Sequence, residues 1–398
     1  MRFLQLVSRS PAGQTSAHSA VSNTAIAVLY LLLLGSISFH AYRTPIYSMD
    51  ALQYMGNATL MEETDPVKVH QRVYAEIDDR IPRIARGNLL GHQLGAPEDQ
   101  NKSRQERATN PYRFAEFLPL FAIRPMYNIV LYWIGKTGLG LLRAGIVLSA
   151  LSHYLLGVLF FRWLTKHLPH ISILCIALLV MISPPIMSLG RENTADGLAT
   201  LIALSALYLI FEKQSLCPGL ALLLASIYFR TDFVVLAGPV LLALWWGRKI
   251  DFWQAGVLSA LAVASVLAIN HFAGDYGIKM LYYRNFVGTP SAPGEMAVNF
   301  SFRDYLGALR SGLTLAADSY LIPFMLLGTI GLVLHSRLRV VAAVAMAYVA
   351  LHFVVLPNWD ERWFGLFYLS MALCAATSRP QGLVRATSEQ PVPAENGI

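Results

Sequence analysis

With 398 residues, 55% of them hydrophobic and only 14% charged, the chain has too little polar material to coat a soluble surface, where about 25% charge is usual. Disorder is excluded too, because this apolar load with 11% aromatics would collapse. The formal net charge of +7 comes without Lys/Arg runs or RNA-binding aromatic motifs, so it implies no nucleic-acid partner. What composition leaves is an all-α polytopic membrane protein.

A membrane-crossing helix needs about 20 apolar residues, fewer where it is broken. In chain order the spans are expected near Ser22–Phe39, Leu139–Trp163, Ile171–Leu189, Thr194–Phe211, Cys217–Phe229 and Phe233–Trp246. Four more follow near Ala255–Phe272, Leu313–Leu334, Val340–Leu356 and Trp363–Thr377. Arg2 and Arg9 precede the first, and no small-residue cleavage site follows it, so residues 1–21 are expected in the cytoplasm ahead of a retained anchor. The first loop, residues 43–113, is large. The segment 114–135 is apolar but interrupted by Pro119, Arg124 and Pro125, and reads as interfacial or re-entrant; counted as a crossing, it would raise ten spans to eleven.

Charge chooses between these readings, because Lys and Arg in short loops mark the cytoplasmic side. If 114–135 does not cross, the cytoplasmic pieces (1–21, 162–170, 212–216, 247–254, 335–339 and the tail 378–398) hold eleven basic residues and four acids. The first loop holds ten of each, and so does the remainder of the chain, which places the excess on one face. Cys175, Cys217 and Cys374 all lie in or beside apolar runs and are expected to be small buried residues, not a disulfide framework or metal site.

The polar residues of interest then gather on the other face. Asp50 opens an amphipathic helix near Asp50–Ala58, Val67–Ile84 has helical spacing, and Gly95–Asn110 reads as an exposed connector. Short polar segments follow at Arg191–Asp196, at Arg230 and Asp232, and at Asn358–Trp363. A longer loop, Gly274–Ser311, carries Tyr276, Tyr282, Tyr283, Arg284 and Arg303. Charges this close to hydrocarbon are costly and imply partners or function. Asn57-x-Thr59, Asn101-x-Ser103 and Asn299-x-Ser301 match the glycosylation pattern, which also arises by chance.

Asp50-x3-Tyr54, Arg124-Pro125-Met126-Tyr127, Ser188-x2-Arg191 with Thr194-x-Asp196, Arg230, and Glu361-Arg362-Trp363-Phe364 together resemble the GT-C superfamily of polyprenyl-phosphate-sugar-dependent glycosyltransferases. The similarity is to the branch with the protein mannosyltransferases and aminoarabinose transferases, and runs from about Asn23 to Ala376. Two departures stand out. Met126 and Asn128 replace prolines of the family's Arg-Pro-Pro-x-Tyr-Pro, and only residues 378–398 follow the last span, where family members often carry a soluble domain.

The resemblance implies a GT-C-like bundle over residues 22–377 and sugar transfer from a polyprenyl-phosphate donor to a hydroxyl of a glycan, lipid or protein acceptor. The charge bias puts the site on the outer face, and the compact loops without a eukaryotic-type retention signal point to a bacterial cytoplasmic membrane. Asp50 would be the general base, and Arg124, Tyr127, Arg191, Glu192, Asp196, Arg230 and Arg362 would contact substrate. A divalent cation, Mg or Mn, on Asp50, Glu192 and Asp196 is compatible with it.

Each residue also has a plainer reading. Asp50 would cap a helix, Glu192 and Asp196 would offset a helix dipole, and the arginines would anchor at the interface. The rival functions are a lipid or glycan transporter and a non-catalytic subunit of a glycan assembly pathway. A transporter would want its polar groups near mid-membrane.

Overall fold

The computed structural model describes residues 17–276, 301–334, 336, 338–357 and 359–378. Tyr282, Tyr283, Arg284, Asn299, Asn358 and most of the tail lie outside them. Among the described residues every regular element is a helix, and strand pairing is confined to one isolated parallel bridge between Ile46 and Glu192.

Among the described residues three helices, or up to six spans if each bent pair is one, are long and apolar enough to cross a membrane, which is consistent with a multi-pass membrane protein. Asn23–Arg43, within α1 (Ala17–Arg43), α9 (Leu141–Leu164) and α15 (Phe252–Phe272) are each long and apolar enough to cross alone. Within its most apolar stretch α9 is 67% buried, against 11% for α15, so α9 is the central strut and α15 a peripheral one. The outward-facing Val257, Leu261, Val263 and Leu267 of α15 would be untenable in water and suit lipid.

Several of the ten expected spans are broken or short. Residues 171–189 divide at Pro184 into α10 (His170–Ile182) and α11 (Pro184–Arg191), bent by 64°. The expected span Leu313–Leu334 is not continuous. α16 (Phe302–Ala317) and α17 (Leu321–Val333) meet at 73° across Asp318–Tyr320, where polar side chains compete for the backbone. α12 (Asp196–Leu207), α13 (Leu216–Phe229), α14 (Val234–Trp246), α18 (Arg339–Val355) and α19 (Gly365–Ala376) are shorter apolar helices. α19 packs on α17 and α18 and reaches α12 and α9, closing the bundle. Of the cysteines only Cys374 is buried; Cys175 and Cys217 lie on exposed apolar surface, which lipid tolerates as readily as a core does.

The first loop folds into α2 (Met49–Thr59), α3 (Pro66–Arg80), α4 (Arg83–Leu89) and α5 (Glu98–Thr109). The expected connector Gly95–Asn110 is therefore a helix for most of its length. Pro97 precedes it, Glu98 and Asp99 favour its N-terminus, and Arg107 is buried against the Phe117 ring at 4.4 Å. Short helices α6 (Pro111–Phe117) and α7 (Pro119–Ala122) lead into α8 (Pro125–Ile134), and the chain reverses by 113° at the Arg124-Pro125 junction. Glu76 of α3 fastens this layer to the bundle, its carboxylate accepting from the N–H groups of Leu141 (3.0 Å) and Leu142 (2.9 Å) that α9 leaves unsatisfied.

Candidate functional site

Connectors from four parts of the chain meet beside α2. Arg191 donates through Nε to the Thr44 carbonyl (2.8 Å), and its own carbonyl accepts from Ile46 N–H (2.8 Å). This ties the α1–α2 connector to the α11–α12 connector. Close packing of α9 holds the second one, for Gly145 lies so near Asn193 that a Cβ there would overlap the amide oxygen. Ser48 stands at the N-cap of α2, yet its hydroxyl does not cap. Asp50 lies in the first turn.

The Asp50 carboxylate accepts from Arg362 Nη2 at 2.8 Å. Arg362 comes from a short turn, Glu361–Phe364, whose N-cap Asp360 accepts from Arg362 Nε at 2.9 Å. Glu192 meets Arg362 Nη1 at 3.1 Å, and Asp196 lies 3.6 Å from Nε. One guanidinium thus gathers four carboxylates.

Arg230 continues the pattern deeper in the protein. It is 2% exposed, which would be prohibitive without counter-charge. Its Nη1 meets Asp196 at 2.9 Å and its Nε meets Asp232 at 3.0 Å. Asp232 in turn accepts from Tyr348 OH at 3.5 Å and pairs with His352 Nε2 at 3.1 Å. Asp50, Arg362, Asp196, Arg230, Asp232 and His352 therefore form one row in which acids alternate with basic groups.

The row is rich in acid, and protonation responds. Burial pushes Glu192 up to about 7, against the pull of Arg362, and raises Asp360 as well. The acids suggested for Mg or Mn, Asp50, Glu192 and Asp196, converge on Arg362. Among the described residues no group of three or more His, Cys, Asp or Glu is arranged for a metal.

Arg124 is used differently. Its guanidinium sits 5.4 Å from the Tyr54 ring centroid, and among the described residues no carboxylate pairs with it and no side-chain hydrogen bond engages it. Tyr127 lies behind the site, fully buried, edge-on to Tyr54 at 4.8 Å, with its hydroxyl 3.4 Å from Asn193. The structure thus brings together Asp50, Glu192, Asp196, Arg230 and Arg362, leaves Arg124 beside them, and gives Tyr127 and Arg191 scaffolding contacts.

Two cavities of about 390 Å³ flank the row at opposite ends. One is polar and bounded by Ser48, Asp50, Asn88, Gln100, Ser103 and Arg104 among others. The other is mostly apolar, with Leu120, Ile123, Val235, Leu267 and Val355 in its wall and Asp232 and His352 at its polar edge.

Asp360 and His352 were not singled out from the sequence. Asp360 had a signal, since Asp-x-Arg mirrors the Arg-x-Asp of Arg230 and Asp232. His352 had none, being one histidine on an apolar helix. The Asn57 match to the glycosylation pattern is a chance one: its buried side chain donates to the Gln53 and Leu118 carbonyls, both at 2.9 Å. No family model matches the chain, and comparison with curated proteins and solved structures gives no match either.

Proposed function

We propose that this protein is an integral-membrane glycosyltransferase of the GT-C type, moving a sugar from a polyprenyl-phosphate donor to an acceptor hydroxyl on the outer side of a bacterial cytoplasmic membrane. The observation that carries the reading is the placement of Asp50. Its carboxylate stands at the wall of a polar cavity, held by the Arg362 guanidinium. The apolar cavity at the far end of the row supports the lipid part of the reading. The one-sided excess of basic residues supports the orientation.

In this mechanism the acceptor oxygen attacks the anomeric carbon as Asp50 takes the hydroxyl proton. The bond between the anomeric carbon and the phosphate oxygen breaks, its electron pair leaves with polyprenyl phosphate, and the anomeric configuration inverts. Arg124, with no carboxylate to hold, meets the developing phosphate charge. Arg230 and Arg362 position the acids. Glu192 and Asp196 orient Asp50 through Arg362 or hold sugar hydroxyls.

The test is sugar transfer by membranes carrying wild-type protein or Asp50→Asn, with lipid-linked glycans profiled in cells of each kind. The Asn variant keeps the size and loses the base, and transfer should fall at least about a hundredfold, within the range for general-base catalysis, with folding unchanged. Asp50→Glu should recover part of the activity. Normal transfer by the Asn variant would remove Asp50 from the mechanism.

A further inference from the structure

The polar cavity has a chemistry of its own. Four of its side chains, Ser48, Asn88, Gln100 and Ser103, make no side-chain hydrogen bond to the protein among the described residues. The Ser48 hydroxyl is the most telling, since it is buried, it has no partner, and it declines the capping role that its position offers. A buried hydroxyl left unpaired is costly, so its persistence beside Asp50 argues for a partner supplied by a ligand.

The wall around these groups is held rigid. Arg104 donates to the Asn88 carbonyl at 3.1 Å and also engages Gln93, while Asn101 donates to the Gln93 carbonyl at 2.9 Å. Gly91 has φ of +86° and lies against the Asn101 carbonyl, where any Cβ would collide, so the loop closes on α5 in one conformation. Preformed amides and hydroxyls around a volume of about 390 Å³ fit a small ligand that both donates and accepts at many points.

We propose that this cavity binds the acceptor and that the acceptor is a saccharide. Amides and hydroxyls, each donor and acceptor, match a polyhydroxylated ring. A lipid alcohol would leave them unpaired, and among the described residues no strand edge lies at the cavity to pair an extended peptide. The inference rests on the glycosyl-transfer reading for what happens to the bound sugar, but not for the binding itself.

Ligand-observed NMR on the full chain, purified in a detergent without a sugar headgroup, tests it. The probes are a neutral hexose trimer, an N-acetylhexosamine trimer, a hexuronic acid trimer, a prenyl alcohol and a Ser/Thr-containing peptide. At least one trimer should bind saturably, and Ser48→Ala and Gln100→Ala should each weaken it about three- to tenfold, the cost of one or two neutral hydrogen bonds. Leu261→Val, on the outward face of α15 and away from the cavity, should leave it unchanged. Ser103→Ala provides a further variant should one of the others fail to give a monodisperse protein.

Binding of none of the trimers would overturn the proposal. So would trimer binding that none of the three alanine variants weakens, or prenyl alcohol or peptide binding that they abolish. Normal transfer by Asp50→Asn alongside trimer binding weakened in Ser48→Ala would instead overturn the mechanism and leave the binding site standing.

Discussion

Arg124 and Arg230 carry the same fork of donors and are used in opposite ways. Arg230 is clasped by Asp196 and Asp232, so removing it leaves buried carboxylates unpaired. Arg230→Ala should cost on the order of 3–5 kcal/mol and show first as lost monodispersity in detergent. Arg124→Ala should leave stability near wild type and weaken prenyl-phosphate binding about ten- to hundredfold, with Lys restoring little, since a point charge does not replace the fork. Equal stability loss in both variants would refute the division of labour. Glu192 supplies a pH test. With its folded value raised from 4.5 to about 7, it holds its proton more tightly in the folded chain than in the unfolded one. Its stabilising effect is complete below the unfolded value and is lost as pH rises through the folded one. The thermal denaturation midpoint should therefore fall between about pH 5 and about pH 8, and Glu192→Gln should flatten that fall. Asp50 was legible in the sequence because it is an acid beside a span end; that four carboxylates share Arg362 was not, because the partners are far apart in the chain.

At the scale of elements, the long apolar runs were legible from composition alone, and their breaks were less so. Proline announced the bend at Pro184, whereas the turn at Asp318–Tyr320 is polar only in its details and vanished into a hydrophobic average. α5 was missed for the opposite reason, since almost nothing in Glu98–Thr109 is apolar and its helix is held by end charges and one buried arginine. Sidedness is testable at this scale. Glu212 pairs with Lys166 at 3.0 Å and His167 at 3.1 Å, so the connectors after α9 and α12 share one end of the bundle. Glu76 meets the other end of α9, roughly 36 Å away by helix rise. Reporters after Lys166 and after Lys213 should read cytoplasm, and one after Lys102 should read outside. A common side for Lys166 and Lys102 would end the proposed orientation.

Over the whole molecule, the bundle is closed by its last described helix. α19 reaches α9, α11 and α12, and the turn before it supplies the guanidinium on which the acids converge. A chain cut before Asp360 keeps Asp50, Glu192 and Asp196 and loses Arg362. It should insert in the membrane, fail to bind prenyl phosphate, and be cleared faster than the full chain in a pulse-chase experiment. Stability equal to that of the full chain would show that the charge row does not hold the fold together.

That arrangement has a consequence in time. Asp50 and Arg362 are 312 residues apart, a distance that a ribosome covers in about 15–60 s at about 5–20 residues per second. Until then Asp50, and Glu192 once it is made, lack the Arg362 guanidinium that they share in the finished fold. Water, protons or a helper protein must keep them company until the final turn arrives.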